Sequence, residues 1–128
     1  MFHTIRKTIT TSAGGAYTFT TTNKFTGKFI GFHTKVGTMT NCTFTISGLS
    51  THGIATVTRT LYSKAATADT DSTIVMVQAV DTAGSLIAGV YDYICLMNEA
   101  VKITIAAGGN AKTMDIEIIL DVERPATN

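Results

Sequence analysis

Apolar and polar residues alternate along most of this chain, as in Cys42-Thr43-Phe44-Thr45-Ile46-Ser47 and Val101-Lys102-Ile103-Thr104-Ile105. A period of two belongs to a strand with one face buried and the other wet. It predicts strands at 5–10, 16–20, 27–34, 42–47, 54–62, 73–80, 90–97, 101–106 and 114–122. The last has the clearest inside and outside, with Met114, Ile116, Ile118 and Leu120 on one face and Asp115, Glu117 and Asp121 on the other. The stretch 73–80 is apolar almost throughout, Gln78 excepted, and its length and β-branching predict a buried strand.

Breaks between these segments carry turn residues. Ser12-Ala13-Gly14-Gly15, Asn23-Lys24, Asp81-Thr82-Ala83-Gly84-Ser85 and Asn98-Glu99 read as turns, and Gly108-Gly109-Asn110 as the tip of a hairpin returning along 114–122. The small, polar stretch 63–72 reads as a long surface loop, and 86–89 as a connection. The segments 27–34 and 42–47, joined by a short link, read as neighbours in one sheet. Short strands at this spacing, with the single proline, Pro125, outside all of them, predict an all-β fold. The expected form is an antiparallel β-sandwich, jelly-roll or immunoglobulin-like, of eight or nine strands. It would make one domain over 1–128, with 1–12 as an N-terminal strand or arm and 123–128 as a short tail.

Composition adds the character of the surface. Threonine fills roughly one position in five, and its stiff, branched side chain suits a half-wet pleated face. Charged residues make up only 15%, against about a quarter in an ordinary domain. Such a surface costs little to desolvate when another protein covers it, so docking in an assembly is expected. A net charge of +1, with Arg6-Lys7 the only adjacent basic pair, gives no electrostatic footprint for nucleic acid. No apolar run approaches the length of a membrane span, and the first residues enter a strand pattern directly, so cytosolic synthesis is expected. In a reducing cytosol Cys42 and Cys95 are expected to be buried, unpaired thiols.

No constellation for chemistry stands out, and no enzyme, cofactor or metal site is expected. His3, His33 and His52 are far apart and lack neighbours at ligand spacing. Asp69-Thr70-Asp71-Ser72 opens like a calcium loop but lacks the glycine and glutamate that complete one. Gly108 to Lys112 lacks the spacing and following helix of a phosphate loop. Ser47, Ser50 and Ser85 have no nucleophile-elbow context. The chain has no tryptophan, which disfavours a sugar-stacking platform, and core or interface packing is the expected role of Tyr17, Tyr62, Tyr91 and Tyr93.

Two segments, Gly27 to Ser47 and Ala100 to Thr113, the second followed by the acidic-apolar strand, carry a resemblance. A glycine-led strand, a Gly-Thr link, a Thr-rich strand and a final Gly-Gly-x-x-Lys turn resemble small β-sandwich virion proteins of tailed bacteriophages. The resemblance implies a structural protein, most simply a head decoration or cement protein. It would be made in the host cytoplasm and bound to the outer capsid surface, with the major capsid protein and copies of itself as partners. A homo-oligomer is expected, with a trimer as the first expectation. Neck, tail and fibre components are the alternative, and a glycan-binding module is the rival of another class. The interface candidates are Phe2, His3, Ile5 and His33. The first three lie on a terminal strand able to add to a partner's sheet edge, or else to form an ordinary edge of its own sheet.

Overall fold

The computed structural model describes residues 1–39, 41–52, 55–65 and 70–123, with the backbone alone at 52 and 70–72. It contains eight strands: β1 (Phe2–Thr10), β2 (Tyr17–Val36), β3 (Thr43–His52), β4 (Ala55–Lys64), β5 (Thr70–Ile74), β6 (Met76–Val80), β7 (Leu86–Ala106) and β8 (Thr113–Val122). All pairings are antiparallel, so the expected all-β antiparallel fold is what forms. Hydrogen bonds join the strands into one sheet in the order β1-β8-β2-β7-β3-β4, with β5 on β2 and β6 on β7 off that path.

Two long strands organise the molecule. The Asn23-Lys24 signal is not a turn: β2 runs through it for 20 residues, with register shifts between Thr20 and Lys24 and between Phe25 and Gly27. Its first part, Tyr17–Thr20, pairs with β7, and its last part, Gly27–Val36, pairs with β8. Gly27 sits at φ 151°, and a Cβ there would fall 2.1 Å from the Asp121 carbonyl oxygen, so only glycine allows β8 so close. Asn98-Glu99 is likewise not a turn. It lies within the 21-residue β7, with Asn98 at φ 53° opposite the β2 bulge. In both places the polar residues mark a bulge in a continuous strand, where extra residues bend the chain without reversing it.

The bend changes which segments meet. β3 pairs with β4 and β7, not with β2, so the sheet neighbours expected at 27–34 and 42–47 are not neighbours. They face each other instead: the Phe32 ring lies 5.3 Å from Phe44 of β3 and 4.7 Å from Tyr62 of β4. Phe32 and Phe44 thereby belong to one buried core with Ile9, Phe29, Ile46, Ile103, Ile118 and Leu120. The alternation expected for 114–122 is what β8 shows, with Val122 joining the buried face.

The Gly108-Gly109-Asn110 turn is not a hairpin tip, because β8 pairs with β1 and β2 and not with β7. Residues 107–112 instead dock on the first turn. Gly108 donates its N–H to Gly15 O, and the Thr11 hydroxyl donates to Gly109 O and accepts from the Lys112 N–H. The expected 63–72 loop is shortened from both sides, since β4 reaches Lys64 and β5 begins at Thr70; 66–69 and the tail from 124 lie outside the described residues.

Candidate interaction surface

Of the twelve large apolar residues exposed among the described ones, nine lie between Ile74 and Met97. That concentration locates the surface to be explained. Near Val75, whose N–H donates to Ile30 O, the chain leaves β2; the pairing of β7 with β2 ends at Phe29 and Ile94. Beyond those points β6 and the first part of β7 pair only with each other among the described residues, making a two-stranded ribbon. Every residue from 81 to 92 is exposed. The expectation that 73–80 is a buried strand therefore fails. Val75 is buried, but Ile74, Met76, Val77 and Val80 are exposed.

Register decides what the ribbon presents. Met76 pairs with Tyr93, Gln78 with Tyr91 and Val80 with Leu86, so these six share one face, while Val77 and Asp92 pair on the other. Tyr91, one of the tyrosines expected in core or interface packing, is 55% exposed and so lies outside the core. Between the Gln78 and Val80 pairings β7 takes five steps against two on β6. Gly89 at φ 75° accommodates the excess, and Gln78 Nε2 bridges it to Ile87 O at 2.9 Å. The tip forms the expected turn: Asp81 Oδ1 accepts the N–H groups of Ala83 and Ser85, and Gly84 lies at φ 84°.

The ribbon is gripped at its base. Glu99, placed in a turn by the sequence reading, is almost completely buried. Its carboxylate accepts from Arg59 Nη2 at 2.5 Å and from the Met97 N–H at 3.0 Å, and Arg59 also donates to Cys95 O at 2.6 Å. Gly48 makes room for it, since a Cβ there would lie 2.4 Å from Glu99 Oε2. Lys28 adds an exposed ion pair to Asp92 at 3.7 Å. Nothing local marks Glu99 as buried, because its partner comes from a strand two positions away in the sheet.

The residues named from sequence are placed differently. Phe2 is 73% exposed, and His3 is half-buried with its ring 5.0 Å from Phe25. Ile5 is in the core and is removed from the candidates, because strand alternation turns it inward with Ile9. β1 is paired with β8 along Phe2–Thr10, which is the ordinary edge-strand arrangement. His33 is exposed and lies opposite Glu117, which also takes Arg6 Nε at 2.6 Å. Asp115 stands likewise between Thr8 and Lys35. These rows line a shallow cleft of about 370 Å³ whose opposite charges neutralise each other across strands, a solvated face in character.

Cys42 is buried but Cys95 is exposed, against the expectation of two buried thiols, and neither forms a disulfide among the described residues. His52's side chain and Asp69 lie outside the described residues. No group of three or more His, Cys, Asp or Glu side chains among the described residues is placed to hold a metal. No described helix is long and apolar enough to cross a membrane. Compared with protein-family models, curated proteins and solved structures, the chain matches none.

Proposed function

We propose that this chain is a structural protein of a virion, a decoration or cement protein that binds the outer head surface and strengthens it through many copies. The observation that carries the proposal is the ribbon, an uncovered apolar element projecting from a domain whose own core is closed. An isolated two-stranded hairpin is marginal in water, and a large exposed apolar patch marks a surface meant to be covered. The strand pairings support the same reading. With β2 counted as two strands, β1-β8-β2-β5 and β2-β7-β3-β4 follow the jelly-roll order, an architecture used by viral capsid proteins. Modest contacts repeated over a lattice add up through effective concentration.

The test is to add the purified protein to bare phage heads and to follow their resistance to heat and to internal pressure. A saturable gain in the rupture temperature, with the protein co-sedimenting with heads, is the expected result. Heads that neither bind the protein nor gain resistance refute the cement role.

A further inference from the structure

We propose that the β6–β7 ribbon, residues 76–93, is the self-association element of this chain, packing against the same ribbon of a second copy in a closed oligomer. This deepens the assembly reading above by naming the first partner of that surface, and it rests on that reading only for its biological setting.

Three observations select a second copy as the occupant. The first is what the ribbon exposes. The face that carries Met76, Val80, Leu86 and Tyr91 leaves four large apolar side chains exposed together, the apolar character of a contact between copies of one chain.

The second is charge. Like can meet like only where no unneutralised charge faces its own copy, and between Ile74 and Met97 the only ionised side chains are Asp81 and Asp92. Asp92 is paired with Lys28 and lies on the face opposite Met76 and Tyr91, and Asp81 sits in the turn at the tip, where two N–H groups hold its carboxylate.

The third is the edge. The two ends of the main sheet carry charged side chains, Arg6 and Lys7 on β1 and Lys64 on β4. The edge formed by β6, Met-Val-Gln-Ala-Val, carries none, and Gln78 turns its amide inward to Ile87 O. Exposed edges that are to stay single are guarded by charge, and this one is not.

The experiment measures the mass of the purified chain by light scattering on gel filtration over a range of concentrations. The wild type is expected at a small multiple of 13.6 kDa. The double variant Met76→Lys, Tyr91→Lys, both on one face of the ribbon, is expected to raise the dissociation constant at least about 100-fold, because two charges would have to be buried in the contact. Val57→Lys, at an equally exposed apolar site on β4, is expected to leave the mass unchanged. Hydrogen exchange on the wild type gives a second reading that needs no variant: amides at 76–80 should gain protection as concentration rises.

A wild type that is monomeric with concentration-independent exchange overturns the inference, as does an oligomer that both lysines leave intact. A ribbon-held oligomer that adds nothing to bare heads keeps this inference and refutes the cement role. A monomer that nonetheless stabilises heads does the reverse.

Discussion

Arg59→Ala tests the clamp at the base of the ribbon. The substitution removes two hydrogen bonds to the Glu99 carboxylate, at 2.5 and 3.4 Å, and one to Cys95 O at 2.6 Å. It leaves a carboxylate that is only 5% exposed with, among the described residues, the Met97 N–H as its remaining donor. Removing one partner of a fully buried ion pair costs about 3–5 kcal/mol, because the other charge is left uncompensated. Arg59 is itself 44% exposed, so water can enter where the guanidinium stood. That lowers the expected loss to about 2–3 kcal/mol, still well above the 0–1 kcal/mol of a surface pair. For a chain of this length about 3–5 °C of Tm accompanies each kcal/mol, so Arg59→Ala should melt roughly 10 °C lower. The assay is thermal and urea unfolding followed by circular dichroism at one fixed protein concentration, since self-association would otherwise move Tm. A cycle with Glu99→Gln isolates the pair: with the amide in place, the further loss on Arg59→Ala should fall below about 1 kcal/mol. An Arg59→Ala loss under 0.5 kcal/mol, or full additivity in the cycle, would refute a buried, charge-compensated carboxylate.

Two other substitutions examine the body of the fold. Thr34 is fully buried, and among the described residues its hydroxyl has no hydrogen-bond partner, so Thr34→Val should raise stability by about 1 kcal/mol in urea unfolding. A destabilised valine variant would show that the hydroxyl is satisfied. Gly31 faces β5 so closely that an added Cβ would lie 2.1 Å from the Thr73 carbonyl oxygen, so Gly31→Ala must push β5 away. It should cost about 2 kcal/mol or more and expose the amides of 70–74 to hydrogen exchange, and unchanged protection there would contradict the register of β5 on β2.

The structure also changes what truncation at the amino terminus means. As a free arm, residues 1–8 would be dispensable for folding. As β1 they cover the outer edge of β8 and bring Ile5 into the core, so removing them takes away part of the folded body.

Period two was legible in the residues themselves, because alternation across a strand is a property of neighbouring residues and needs no partner to express it. The inward set Met114, Ile116, Ile118 and Leu120, the turns at Ser12 to Gly15 and Asp81 to Ser85, and the all-β class follow from that local rule and from glycine's freedom at positive φ. What covers each apolar face is a different matter. The run 73–80 has the same composition whether its own core or a neighbour encloses it, and only the divergence of β6 and β7 from β2 at Val75 and Ile94 left it in water. Asn23 and Asn98 carry the same local signal in a turn as in a bulge, and long-range pairing on both sides kept β2 and β7 running through them. Glu99 joined the buried set because Arg59 and Gly48, distant in sequence, arrive beside it. Local sterics wrote the strands into the chain, and contacts between distant residues decided which faces the molecule keeps for itself and which it leaves uncovered.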